Sequence, residues 1–487
     1  MTISPRHVIR RLPATVAALV ALAAAGPATI RAVDADAGRD PGLLAFRDHN
    51  LVLVSFDALQ AAHVGCLGNP RDVTPTIDAL AAAGVNFTQA RAVASWTVPS
   101  TMSWFTGVFP SEHGMTNKYA VWGPDEKRLA SLGERAPHLV TLAETLRGAG
   151  YATGGFTGNA GVSTGFGYER GFDVYVHEKN RFGTLEHSVP EAVAWLRANR
   201  HRRFFMFLHG YDVHGQSTPA TGYDRRFVDP GYDRRFTGSI VEQELLREEG
   251  LDRGRVTLRE PDVRFWRAIY DEKIALADAC FAGFLAEVER LGLGDRTIFV
   301  ITSDHGTELY EHRRFDHGFT LYDELLRVPL IVKCPGAARG RTVTDRVSSI
   351  DVMPTILDLL AIDVPPEVRR QMRGTSLVPA MRGEPVRRDC FAETDYREYT
   401  FKRCVVTPDG WKLVCTMETG GRELFDLGSD PAETRDLAAI EPERTAELRR
   451  RLYAHFREIG ADLESRDWKV GLNPVYASQG REPAPPR

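Results

Sequence analysis

The chain has 487 residues, 43% of them apolar and 26% charged, a composition that suits a globular protein with one large core and a smaller appended unit. Folding a chain of this length buries roughly three quarters of its unfolded surface. Its 61 Lys and Arg stand against 65 Asp and Glu, a formal net charge of -4, which excludes the dominant basic face of a nucleic-acid binder and requires any anionic substrate to be caught by local charges.

Residues 1–37 read as a signal peptide and linker: Arg6, Arg10 and Arg11 precede an Ala-rich apolar run, and the small residues Ala28 and Ala32 follow it. The run is short for a bilayer, so no permanent membrane span is expected, and the chain is expected to be exported, periplasmic or extracellular. Retention by an uncleaved N-terminal segment is the alternative, and Arg10-Arg11-Leu12 is a twin-Arg cue.

From residue 48 to 377, strand and helix patterns alternate as they do in an α/β fold with a mostly parallel sheet sandwiched by helices. Residues 51–56 form a predicted strand that ends in Asp57. Thr74 caps and Pro75 opens a helix through Ala83, which Gly84 stops. In Ser95-Trp-Thr-Val-Pro-Ser-Thr a strand or loop gives way to a helix with Pro99 in its first turn, so Thr97 faces free N–H groups and is a candidate nucleophile. Residues 140–150 are an amphipathic helix, and 151–156 a strand leading to Asn159. A helix opening at Ser188-Val-Pro-Glu leads into an apolar strand from Phe204, which ends in His209, Asp212 and His214.

An insertion, 216–262, carries a doubled hexapeptide, Gly222-Tyr-Asp-Arg-Arg-Phe and Gly231-Tyr-Asp-Arg-Arg-Phe, read as a local duplication with solvated arginines. A long helix over 263–291 precedes a strand from Thr297 that ends in Asp304 and His305, and 349–360 is helical. A small C-terminal α+β subdomain follows over 388–460, with strands at 401–406 and 411–417 and a polar helix at 441–459, before a loose Pro-rich tail at 472–487. Cys404 and Cys415 lie symmetrically about the Asp409-Gly410 turn and are a candidate disulfide, whereas Cys66, Cys280, Cys334 and Cys390 read as small buried hydrophobes. The carboxyl ends of the strands in such a sheet share one edge, where ligands bind. The acids, imidazoles and hydroxyl gathered there therefore point to a metal site.

In order along the chain, Val54-Ser-Phe-Asp-Ala-Leu, Thr97-Val-Pro-Ser with Phe105-Thr-Gly-Val-Phe-Pro-Ser-Glu-His-Gly, Ser303-Asp-His-Gly, and His317-Gly-Phe-Thr-Leu-Tyr-Asp-Glu-Leu-Leu-Arg-Val-Pro resemble segments of the sulfatase family of the alkaline phosphatase superfamily. Asp351-Val-Met-Pro-Thr and Arg422-Glu-Leu-Phe-Asp-Leu-Gly-Ser-Asp-Pro-Ala-Glu-Thr are similar to its C-terminal landmarks. The chain departs from the family pattern where a Cys or Ser in C-x-P-S-R becomes formylglycine, for Thr97 and Thr101 replace that residue and the Arg. Threonine oxidation gives a ketone, not the aldehyde. Threonine nucleophiles occur in superfamily relatives that cleave phosphodiesters or transfer phosphate-linked head groups.

The resemblance implies that Asp57, Asp304 and His305 hold a divalent cation (calcium, manganese or zinc) that also contacts Thr97. His214 is the implied acid or base, and His317, where many relatives have Lys, a donor to the substrate; Asn159 and Arg327 are further substrate-binding candidates. One ion is expected rather than two, with Asp212, His214 and His317 as the set for a second. The expected activity is hydrolysis of phosphate or sulfate esters, phosphodiesters foremost, of a small molecule, glycan or lipid. The rivals are sulfate-ester hydrolysis without formylglycine, head-group transfer, and a noncatalytic binding homologue.

Overall fold

The computed structural model describes residues 44–122, 126–178, 182–215, 222–247, 256–337 and 339–468. The predicted export segment, the C-terminal tail and parts of the insertion lie outside the described residues.

Eight strands form the central sheet: β1 (Asn50–Phe56), β2 (Val85–Arg91), β3 (Ala152–Thr157), β4 (Val174–His177), β5 (Phe204–Gly210), β6 (Thr297–Thr302), β7 (Leu330–Lys333) and β8 (Arg341–Ser348). Their order is β8-β2-β7-β6-β1-β5-β3-β4, and only β7 runs antiparallel to its neighbours. A parallel sheet covered on both faces needs strands apolar throughout rather than alternating with polar residues. In β1, Leu51 and Leu53 enter the core on one face, and Val52, Val54 and Phe56 the core on the other. Phe205 and Phe207 of β5 join the first core, and Phe204, Met206 and Leu208 the second.

The helices mostly lie where capping chemistry puts them. Helix α1 (Pro75–Ala83) starts at Pro after Thr74 and stops at Gly84. Its free N–H groups at Thr76 and Ile77 donate to Asp278 of the long helix α4 (Glu260–Arg290), at 2.9 and 3.0 Å. Helix α2 (Thr97–Thr106) is buried along its whole length and ends at Gly107, which has a left-handed φ of 69°. Helix α3 (Leu185–Asn199) corrects the expected start at Ser188. Asp212 accepts from the Leu185 N–H at 2.9 Å, so the helix begins before Pro190, which it carries inside. No described helix is long and apolar enough to cross a membrane.

Beyond the central sheet, four antiparallel strands, β9 (Cys390–Thr394), β10 (Lys402–Val406), β11 (Trp411–Thr416) and β12 (Gly421–Asp426), pack against the helix Pro442–Glu458. Cys404 and Cys415 do not face each other. Thr407 N–H donates to the Trp411 carbonyl at 2.9 Å, so the hairpin loop has three residues rather than two. Cys404 then pairs with Val414 and Cys415 with Arg403. A shift of one residue moves a side chain to the opposite face, and the two thiols lie in different cores. All six cysteines are free, and Cys66 and Cys280 are half-buried rather than core residues.

In the insertion, the doubled hexapeptide builds two matching turns. Arg225 and Arg234 take left-handed φ values of 75° and 57°. Arg226 and Arg235 lay their guanidinium groups over Phe227 and Phe236, at 4.8 and 5.2 Å from the ring centroids. Carboxylates of α4 hold both turns: Glu272 accepts from Phe227 N–H at 2.9 Å, and Asp262 from the Tyr232 hydroxyl at 2.9 Å.

Candidate active site

The register of β1 between β5 and β6 brings three strand ends together. Ser55 stands beside His209 on one side and Thr302 on the other. The next residues along are Asp57, the Tyr211–His214 segment, and Asp304 with His305. Immediately after Asp57, Ala58 takes a φ of 60°, a left-handed conformation costly for a residue with a Cβ. Its N–H donates to Asp304 Oδ1 at 3.1 Å, which ties the two strand ends to each other.

Thr97 is the first residue of α2 and only 6% exposed. Its Oγ1 donates to Asp57 Oδ2 at 3.2 Å and lies 3.3 Å from His305 Nε2. His305 Nδ1 donates to the Gly306 carbonyl at 2.7 Å, which orients the ring with Nε2 toward Thr97. Helix α2 is braced from behind. Ser100 donates to the Asp304 carbonyl at 2.6 Å, and the Tyr168 hydroxyl to that of Val98 at 2.8 Å. Fully buried His113 lies 3.3 Å from the Pro99 carbonyl, and burial pushes its pKa down to about 3, so the ring stays neutral.

Asp57, Asp304 and His305 offer ligand atoms that all lie within 4.8 Å of one another, and all three are buried. Asp57 Oδ1 and Asp304 Oδ2 are buried oxygens with no hydrogen-bond partner. Burial first, and then the charge of Asp304, push the Asp57 carboxyl well above its ordinary pKa. Two carboxylates and one imidazole in this state fit a divalent cation, which would replace the missing partners and offset the paired negative charge. His209 reaches the same pair, with Nε2 3.4 Å from Asp57 Oδ2, and burial pushes its pKa down to about 4.

The structure sorts the other sequence candidates by distance. The rings of His214 and His317 are 5.0 Å apart, and those of His305 and His317 4.5 Å apart, so both histidines stand at the Thr97 site. The carboxylate beside them is Asp316, which groups with His214 and His317 within 4.8 Å. Asp212, expected there, turns its carboxylate to Leu185 N–H because two residues further along a turn point a different way from two along a strand. Asn159 accepts from Ala160 N–H at 2.8 Å and starts the short turn whose Gly161 packs on Thr97. Arg327 donates to the Thr88 carbonyl at 3.0 Å, on the β2 side of the sheet.

Three further site neighbours are not among the sequence candidates. Lys273 of α4 donates to the His214 carbonyl at 3.1 Å and fixes the loop that carries that ring. Burial pushes its pKa down to about 7. Asp316, with a left-handed φ of 87°, pairs with Arg247 from the insertion at 2.6 Å. Only the segment Phe315-Asp316-His317, next to a quoted motif, hinted at the first of this pair.

Comparison with known proteins identifies the family. The sulfatase family model matches residues 49–362, and that of the C-terminal region of N-sulphoglucosamine sulphohydrolase matches 310–462. Arylsulfatase K of Bos taurus is 29% identical over 238 residues, which are 45% of this chain and 43% of that protein, so the match spans less than half of the relative. The Delta 4,5-hexuronate-2-O-sulfatase of Bacteroides thetaiotaomicron is 24% identical over 425 residues, 80% of this chain and 84% of that one. The phosphonate monoester hydrolase of Agrobacterium radiobacter has the same fold, with a TM-score of 0.65 at 19% identity over 84% of this chain and 96% of the other. With the family model covering well over half of its length, and the site built where that fold gathers its strand ends, the chain belongs to the sulfatase family.

Proposed function

We propose that this protein is a metal-dependent hydrolase of phosphate or sulfate esters that attacks through Thr97 and favours phosphate esters, diesters above all. The observation that carries the reading is the Thr97 hydroxyl held between the Asp57 carboxylate at 3.2 Å and His305 Nε2 at 3.3 Å. A buried hydroxyl with a carboxylate acceptor at the start of a helix is set up to lose its proton and attack an anionic ester. An unmodified threonine has no aldehyde hydrate to offer, which favours direct attack on phosphorus.

Asp57, Asp304 and His305 would hold the cation, which when bound supplies Lewis acidity and lowers the pKa of a neighbouring hydroxyl. Asp57 accepts the Thr97 proton, and the α2 N-terminus faces the ester with free N–H groups worth about 0.3 to 1 kcal/mol. His214, whose pKa burial holds well below the ordinary imidazole value, is neutral and suited to act as base for the water that releases the product. His317 lies at the rim as a donor to a nonbridging oxygen.

A second cation is the other reading, favoured by the His214, Asp316 and His317 group. Arg247 already sets a positive charge 2.6 Å from Asp316, so one ion with a guanidinium beside it is the arrangement we adopt. The relatives include sulfatases and a phosphonate monoester hydrolase, so both ester classes belong in the test. Purified protein, stripped and reloaded with calcium, manganese or zinc, is assayed on an aryl phosphate, a bis-aryl phosphodiester and an aryl sulfate, with and without an acceptor alcohol. Metal-dependent hydrolysis of the phosphorus esters ahead of the sulfate is expected. Full turnover in chelator with an empty site, or turnover of the sulfate alone, overturns the proposal.

A further inference from the structure

Two loops outside the central sheet each bring an arginine to one rim of the Thr97 site, and a third segment sets a lysine within range of their charges. Lys118 stands just before the short strand Tyr119–Trp122, Arg247 follows the insertion helix Ile240–Leu245, and Arg397 lies in the loop after β9. Tyr396 is where the two arginines meet. Its hydroxyl accepts from Arg247 Nη2 at 3.3 Å, and the Arg397 guanidinium lies 4.9 Å from its ring centroid. The same ring is 6.3 Å from that of His317 and 5.5 Å from that of Trp96, the residue before Thr97.

This closeness depends on Gly318. A Cβ there would fall 2.6 Å from a Tyr396 ring carbon, so only glycine lets the ring lie on the chain beside His317. Arg397 itself has a φ of 53° and the following Glu398 one of 59°, left-handed values that non-glycine residues hold only where the surroundings impose them. Lys118 is half-buried, and its ammonium is pushed below the ordinary lysine pKa, first by burial and then by the charges of Arg397 and Arg247. Asp316 offsets part of the Arg247 charge, and the repulsion that Arg397 and Lys118 still feel is one that an incoming anion relieves.

We infer that this rim is a subsite for a second anionic group, so that the preferred substrate is an ester bearing a carboxylate, sulfate or phosphate in addition to the group that is cleaved. The inference rests on Thr97 as the centre of ester cleavage and names the class of molecule that reaches it. Arg397 and Lys118 would make charge-assisted hydrogen bonds to that group. Arg247 orders the rim between Asp316 and Tyr396. Trp96 and Tyr396 would flank the organic portion between the two anions.

The test compares kcat/KM of the metal-loaded enzyme on a neutral aryl ester with the same ester carrying a ring carboxylate, a second sulfate or a second phosphate. The wild type is expected to favour at least one charged ester by tenfold or more, with the advantage shrinking as ionic strength rises. The variant Lys118→Met with Arg397→Met should lose at least tenfold of the charged-to-neutral ratio, and Lys118→Arg should keep most of it. A thermal melt of each variant checks that it is folded. Equal kcat/KM for charged and neutral esters in the wild type, or a ratio that the double variant leaves unchanged, overturns the subsite while ester cleavage stands. Failure of the wild type to turn over any of the esters overturns the underlying reading instead.

Discussion

Replacing Thr97 with alanine separates a nucleophile from a packing residue. The substitution removes Oγ1, which reaches Asp57 and His305, and Cγ2, which would stand 2.9 Å from a Cβ on Gly161 and is therefore packed against that glycine. One buried methyl is worth about 0.8 kcal/mol, and a hydrogen bond to a charged group about 1.5 to 3 kcal/mol. No helix-capping energy is lost, because Trp96 holds the cap position and no side chain caps the helix there. The sum is roughly 2 to 4 kcal/mol, short of the 5 to 15 kcal/mol typical of a whole domain, so the variant is expected to fold. Loss of the nucleophile should instead lower turnover by about four orders of magnitude or more, which is about 5 kcal/mol or more of transition-state stabilisation. Initial rates per folded molecule, metal content and a thermal melt measure the three quantities separately. Thr97→Ser should keep appreciable activity, and a slow phosphate ester should leave a phosphorylated peptide spanning Ser95 to Thr101. An alanine variant that retains its metal and turns over within tenfold of the wild type refutes the reasoning.

In the metal-free protein, Asp57 has a raised pKa, so its contribution to stability is full below the ordinary carboxyl pKa near 3.8 and is lost as pH rises through the folded value. Asp57→Asn should therefore be more stable than the wild type to urea at pH 8 without metal, and should gain nothing from added cation; the reverse order at pH 8 contradicts the assignment. Glu308, pushed up to about 8 chiefly by burial, contributes stability that is full below about 4.5 and lost as pH rises through about 8. Glu308→Gln is thus expected to unfold at higher urea than the wild type at pH 9 and alongside it at pH 4, and coincident curves at pH 9 would count against the buried acid. Because Cys404 and Cys415 lie on opposite faces of the C-terminal sheet, both should alkylate fully after nonreducing denaturation of protein kept in air; a disulfide-linked peptide pair would show that the hairpin register is wrong.

Much of this architecture is written in local chemistry. Thr74-Pro75 with Gly84 marks a helix whose bounds the structure repeats, and the apolar runs from Leu51, Phe204 and Thr297 are strands because each fills two cores. The rule that strand ends share an edge, together with the ordered family motifs, led to Asp57, Thr97, Asp304 and His305 as one expected site, although up to 248 residues separate them. Neighbouring residues were harder to place. Asp212 and His214 are two apart, yet one carboxylate starts a helix and the other side chain meets His317, since the outcome depends on how the chain turns after β5.

The cysteine pair shows the same limit. Asp409-Gly410 signals a hairpin, but whether the loop holds two residues or three is settled by the hydrogen bond from Thr407 to Trp411, and that one residue reverses the faces of Cys404 and Cys415. The sequence by itself determined four of the eight strands of the central sheet, several of the helices and the sulfatase-like motifs, because these show in the periodicity and capping of residues near one another in the chain. Tertiary structure alone decided that Asp316 rather than Asp212 stands with the two histidines, and that Arg247 and Arg397 meet at Tyr396. Those positions depend on excursions from separate parts of the chain packing over one sheet edge, and no local pattern encodes where such excursions meet.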